Sequence, residues 1–217
     1  MRLIVVRHGQ THWNAEGRIQ GQLDTELSPL GQAQAQALVT RLADNPWDAL
    51  YVSDLLRARD TAAPLIEALR GSPGNSPVVH YEPRLREIAF GRWEGLRFRD
   101  VAQQEPDAFQ AFRADVNARL HGGESLGDVA ARGRSLLTEV RRHHAEGTVL
   151  WVAHGGMLRL LTCHMLGLPL SAYRRFRLDS TGISMFEISD SDARDGGLGC
   201  TVVSLWNDHR HILGLLD

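Results

Sequence analysis

The chain has 217 residues, 43% of them hydrophobic and 23% charged, which is enough for one domain with a sizeable core or two small ones. Its formal net charge of −2 argues against a nucleic-acid binder working by general basicity, so any positive field is local. Cys163 and Cys200 are too few for a disulfide framework or a structural zinc site, no stretch approaches the ~20 apolar residues of a membrane span, and the N-terminal apolar run is too short for a signal peptide, so a cytoplasmic protein is expected.

In chain order, Leu3-Ile4-Val5-Val6 reads as a buried strand that opens into Arg7-His8-Gly9-Gln10-Thr11. Ser28-Pro29 starts a helix, with serine as cap and proline at the first helical position. Leu30, Ala33, Ala37, Leu38 and Leu42 then share one helical face. Residues 49–52 form a second short strand, and a helix is expected from about Asp54 to Leu69. Residues 71–77 are a loop by composition, and 78–81 an edge strand. Residues 96–120 are polar and mixed, which predicts one or two short helices. A strong helix is predicted from about Ser125 to Ala145, with Gly147 as its stop. Residues 149–153 are a third buried strand, leading into His154-Gly155-Gly156 and a helix through Leu166. Residues 182–188 and 201–206 read as two strands joined by the polar loop 189–199, paired antiparallel at an edge. Strands alternating with helices predict an α/β fold: one three-layer domain over residues 1–217, its mostly parallel sheet flanked by helices, with 96–123 as a cap insert.

Four sets of residues carry chemistry. The first strand ends in Arg7 and His8. The second ends in Ser53-Asp54-Leu55-Leu56-Arg57, with Arg57 in the first helical turn. A loop holds Glu87, and the third strand ends in His154-Gly155-Gly156. Three of these sets leave the C-terminal ends of strands, which in a parallel sheet share one edge and form the usual ligand site. A phosphate monoester resists nucleophiles because it is nearly a dianion. Arg7 and Arg57 suit its oxygens as planar forks, and the Gly155 amide at a helix start adds a donor and a favourable dipole. A neutral His8 nitrogen then attacks phosphorus, His154 meets the developing charge, and Glu87 protonates the leaving oxygen before activating water. The arginines and histidines supply the compensating charge, so no metal and no cofactor is expected.

These residues resemble the histidine phosphatase superfamily, the phosphoglycerate-mutase-like group, over nearly the whole chain. Arg7-His8-Gly9-Gln10-Thr11 with Trp13-Asn14 is similar to the family's nucleophile motif. Ser53-Asp54-Leu55 with Arg57-Ala58 is similar to its second arginine motif. Glu87 with Phe90-Gly91 and Trp93-Glu94-Gly95 is similar to its acid loop, and Gly122-Gly123-Glu124-Ser125 and Val152-Ala153-His154-Gly155-Gly156 complete the pattern. The resemblance implies His8 as the phosphorylated nucleophile and Glu87 as proton donor. It implies Arg7, Arg57 and His154 as the phosphate pocket, with Asn14 as an accessory ligand. Gln10-Thr11 and the stretch 90–95 look more like the phosphatase branch than the mutase branch. The expected partner is a small phosphorylated metabolite, a sugar phosphate or phosphoglycerate derivative, with no nucleic acid and no membrane.

Gln20, Gly21, Arg113 and Arg119 are the candidates for the substrate side, the last two through a cap that selects the leaving group. Trp13 and Trp93 flank the site and are expected to pack on substrate. Glu124 and Ser125 read as a helix cap, with Glu124 also placed to orient a pocket residue. Ser180-Thr181 departs from the asparagine many relatives carry there. Trp and Leu residues near the C-terminus suit either the core or a homodimer interface. The alternatives are a cofactor-dependent phosphoglycerate mutase and an inactive phospho-ligand binder. The latter would need the arginines but neither His8 nor Glu87.

Overall fold

A computed structural model describes residues 1–71, 77–119, 122–189 and 199–215. The loops read at 71–77 and 189–199 lie almost wholly outside them. Six strands form one sheet among the described residues: β1 (Arg2–Arg7), β2 (Ala49–Val52), β3 (Val78–Tyr81), β4 (Thr148–Ala153), β5 (Ile183–Ser189) and β6 (Cys200–Asp208), in the order β3-β2-β4-β1-β5-β6. The first four are mutually parallel; β5 runs antiparallel to β1, and β6 pairs antiparallel with β5 at the edge.

The central strands read as unbroken apolar runs because both their faces are covered. Ile4, Val6, Leu50, Val52, Leu150 and Val152 pack on one side, under α2 (Pro29–Leu42) and α3 (Leu56–Arg70). Leu3, Val5, Tyr51, Trp151 and Ala153 pack on the other, under α6 (Leu126–His143) and α7 (Gly155–Met165). Two short helices, α4 (Phe98–Gln104) and α5 (Pro106–Ala114), occupy the polar segment, as its composition predicted. No helix among the described residues is long and apolar enough to cross a membrane.

Local differences from the sequence reading have identifiable causes. A five-residue helix, α1 (His12–Glu16), follows the first motif, nucleated by a capping box in which Thr11 and Asn14 exchange bonds. The buried stripe of α2 is Gly31, Gln34, Ala35, Leu38 and Leu42, not the predicted face through Leu30, Ala33 and Ala37. A glutamine turns inward there because its Oε1 accepts the Gln10 amide at 2.9 Å, tying α2 to the loop after β1. Helix α3 begins at Leu56 rather than Asp54, and Asp54 instead holds Arg86 by two charge-assisted hydrogen bonds. Ser28 and Ser125 cap α2 and α6 as their positions predicted.

Candidate active site

The register of the sheet creates the site. Arg7 on β1 stands beside Ala153 on β4, and the His8 amide donates to the Ala153 carbonyl at 2.9 Å. His8 and His154 are therefore the first residues past two adjacent parallel strands. Their ring centroids lie 5.1 Å apart. The Thr181 amide donates to the Arg7 carbonyl at 3.0 Å, so the backbone at this position braces the end of β1 whichever side chain stands there. Thr181 does so at a φ of 54°, a conformation costly for a β-branched residue.

Protonation at His8 follows from its partners. Nδ1 lies 2.7 Å from the Gly9 carbonyl, which can only accept, so Nδ1 carries the hydrogen. Burial, then Arg57 and Arg7, hold the ring well below its ordinary pKa. The result is a neutral imidazole with a free lone pair on Nε2. His154 is likewise held well below its ordinary pKa by burial, then by Arg57 and His8, and its Nε2 is 2.8 Å from Ser53 Oγ.

Neither arginine has a carboxylate partner among the described residues; Arg57 is buried and Arg7 is partly buried, with its Nε shielded from solvent. Arg57, fully buried at 0% exposure, donates to the carbonyls of Leu23 (2.8 Å) and Gly21 (2.7 Å). Burial pushes its pKa down to about 10. Arg7 donates to the Leu178 carbonyl at 2.7 Å. Arg7 Nε, Arg57 Nε and His154 Nδ1 are buried with no hydrogen-bond partner among the described residues. Unpaired buried cations are expensive, and this density of unmatched donors suits an anion.

Glu87 reaches the same place from a loop. Its Oε2 accepts the Gly156 amide at 2.9 Å, and its Oε1 accepts the amides of Met157 and Ile88 at 3.0 Å. The first-turn donors of α7 at Gly156 and Met157 are thus occupied by the carboxylate, while Gly155 lies against the cavity. A Cβ at Gly156 would fall 2.4 Å from Glu87 Oε1, so this approach requires glycine. Glu124, for which the sequence suggests a role in orienting a pocket residue, accepts the amide of Ala89, between the lining residues Ile88 and Phe90, at 3.0 Å and pairs with Arg132 at 2.9 Å. Arg132 in turn donates to the carbonyls of Arg84 and Glu87.

A cavity of about 440 Å³ opens over these groups, lined by Arg7, His8, Arg57, Glu87, Asn14 and Gly155 among others. His154 sits directly against His8 without lining it. Gln20 and Gly21 line the wall beside Arg57. Gly21 has a φ of 54°, and a Cβ there would collide with the Glu94 carboxylate. Asn14 Oδ1 accepts the Thr11 amide at 3.0 Å, which leaves its Nδ2 without a protein partner among the described residues. Arg113 lines the outer wall from α5. Arg119 does not reach the cavity: it pairs with Asp128 at 2.8 Å, drawn to the carboxylate at the start of α6. Neither Trp13 nor Trp93 lines it either, and Trp93 is core, packed on Phe109 and Phe112.

Sequence reasoning missed Arg159, Arg174, Tyr173 and the phenylalanines Phe98, Phe109 and Phe112 on the wall. One signal was available: Arg159 is four residues beyond Gly155 on a helix, hence on the same face. Arg174 lies within the short 3₁₀ turn Leu170–Arg175, which offers no such periodicity.

A family model described as Histidine phosphatase superfamily (branch 1) matches residues 3–196. The chain is 43% identical over 176 residues to a glucosyl-3-phosphoglycerate phosphatase of Mycolicibacterium vanbaalenii, covering 78% of this chain and 76% of that one. It is 38% identical over 162 residues to a metal-independent phosphoserine phosphatase of Arabidopsis thaliana, covering 73% and 66%. A solved mycobacterial glucosyl-3-phosphoglycerate phosphatase in complex with VO3 superposes with a TM-score of 0.82 at 35% identity, covering 96% of this chain and 99% of that one.

Proposed function

The chain belongs to the histidine phosphatase superfamily, and on that premise we propose that it hydrolyses a small phosphorylated metabolite through a phosphohistidine on His8. The observation that carries this reading is the pair of carboxylate-free guanidiniums, one buried and one partly buried, beside a buried imidazole whose Nδ1 faces the Gly9 carbonyl and whose Nε2 is thereby left unprotonated.

In the first step His8 Nε2 forms a bond to phosphorus while the bond from phosphorus to the alcohol oxygen breaks. Glu87 gives its proton to that oxygen and becomes a carboxylate. Arg7, Arg57 and His154 meet the charge on the remaining phosphoryl oxygens, where donors fixed before the reaction cost no reorganisation. Asn14 Nδ2 and the Gly155 amide add further donors. In the second step water attacks phosphorus, Glu87 takes its proton, and the bond to Nε2 breaks to release phosphate. Arg7 and Arg57 provide the charge a metal would otherwise bring, with His154 adding a neutral polar contact, and the metal-independent Arabidopsis relative supports that view. The segment 96–119 acts as a cap of this one domain, and Arg113 is its contact with the leaving group.

The test is phosphate release from a panel of phosphorylated metabolites and p-nitrophenyl phosphate in excess chelator. Release without added ion, with an acid-labile phosphoryl group trapped on the protein during turnover, is the expected result. Activity that appears only on adding a divalent ion would overturn it. A net isomerisation of 3-phosphoglycerate stimulated by 2,3-bisphosphoglycerate, without phosphate release, would return the mutase reading.

A further inference from the structure

The cavity carries more positive charge than a phosphate needs. Arg7 and Arg57 face the phosphoryl position, yet Arg113, Arg159 and Arg174 also line the wall. Among the described residues none of these three has a carboxylate partner. Arg159 donates its Nε to the Gly155 carbonyl at 2.8 Å, the first residue of its own helix. That bond holds the guanidinium beside Gly155, which lines the same cavity, and its two terminal nitrogens have no hydrogen-bond partner among the described residues. Arg159 is close enough to Arg7 to work against that residue's charge.

The side chain of Tyr173 organises the group. The Arg159 guanidinium lies 5.4 Å from its ring centroid and the Arg174 guanidinium 5.2 Å. Arg174 is further fixed by donating Nε to the Tyr173 hydroxyl at 3.1 Å and Nη1 to the Arg113 carbonyl at 3.3 Å. One buried tyrosine thus holds two like charges next to a third, joining α7, the turn Leu170–Arg175 and α5. Like charges gathered without a counter-ion repel, and a bound anion relieves that repulsion.

The geometry points to a second anion subsite, formed by Arg159, Arg174 and Arg113 around Tyr173, that takes an anionic group on the alcohol part of the substrate. This rests on the phosphatase reading above and narrows its substrate to phosphate esters bearing a second negative group, carboxylate or phosphate. The phenylalanines on the same wall, Phe98, Phe109 and Phe112, offer apolar surface to the carbon skeleton between the two anions.

Matched esters test the subsite. 3-Phosphoglycerate and glycerol 3-phosphate differ only by a carboxylate in place of a hydroxymethyl group, and fructose 1,6-bisphosphate and fructose 6-phosphate ask the same of a second phosphate. The wild type should prefer the doubly anionic member of at least one pair by about tenfold or more in kcat/KM, expressed in KM. Which pair shows it names the anion. In the double variant Arg159→Gln, Arg174→Gln the ratio should fall to within about threefold of one, and Arg159→Lys should retain part of it. Each ratio comes from one protein preparation, so a loss of folded enzyme cancels. A wild-type ratio near one for both pairs, or a ratio that survives the double variant, overturns the subsite. Failure of the wild type to hydrolyse even p-nitrophenyl phosphate overturns the phosphatase reading instead.

Discussion

The floor and the wall of the cavity use the same residue type in opposite ways. On the floor, Arg57 is fully buried, and both Arg7 and Arg57 are locked by backbone carbonyls at 2.7–2.8 Å. Their neighbours His8 and His154 are 3% and 0% exposed. On the wall, Arg113 and Arg174 are exposed and lean on aromatic rings. A buried guanidinium held by carbonyls has one orientation and keeps its remaining donor for a ligand. An exposed one over a ring keeps its charge in contact with solvent while its stem and ring contacts hold it near the wall. On the proposed function, the floor suits one chemical group and the wall a class of them.

The contrast breaks most visibly at His8. His8→Ala should lower turnover of every ester, good leaving group or poor, by at least about a thousandfold, while phosphate affinity stays measurable by calorimetry. A uniform loss fits a floor that acts on the phosphoryl group alone; near-normal turnover would remove the nucleophile assignment. Glu87→Gln comes next. Alkyl phosphates should slow by about a hundredfold and p-nitrophenyl phosphate by less than about tenfold, because an aryl oxide needs little protonation. Equal losses on both would end the leaving-group role.

Acid should weaken the floor before the wall. His8 and His154 both titrate well below the ordinary value of 6.5 when folded, chiefly through burial. Below pH 6.5 the unfolded chain therefore binds protons that the folded chain refuses. Stability falls as pH drops through that window, by up to about 1.4 kcal/mol per pH unit for each histidine. Urea midpoints at pH 7.0 and 5.5 should show the drop in wild type and a smaller one in His8→Ala; identical drops would contradict the buried neutral ring. The smallest effect is expected at Arg119, whose partner is Asp128. Arg119→Ala should change KM for any ester by less than about twofold, with at most about 1 kcal/mol lost in stability. A larger rise for doubly anionic esters would extend the wall beyond Arg113.

Much of the floor was legible because its signals are local. An apolar run that ends in Arg7-His8 states where a strand stops, and Ser28-Pro29 and Ser125 announce helix starts through caps only a few residues long. The wall was not legible for the same reason. Arg119 and Arg113 looked equivalent six residues apart, yet one meets a carboxylate at the start of α6 and the other lines the cavity. Arg174 belongs to a turn whose place depends on Tyr173 packing beneath it. The inward rotation of α2 at Gln34 was hidden too, because a buried glutamine is acceptable only once the Gln10 amide is known to be its partner.

By itself the order of residues determined the α/β class, the ends of the central strands and which polar side chains stand at those ends, since each depends on neighbours within a turn or two. The tertiary structure alone decided that His8 meets His154, that two arginines stay without carboxylates, and which further arginines join them. Those outcomes hang on the pairing of Arg7 with Ala153 and on the packing of α5 and α7 around one tyrosine. Contacts between segments so far apart along the chain have no signature in local periodicity, because they are set by the shape of the assembled core.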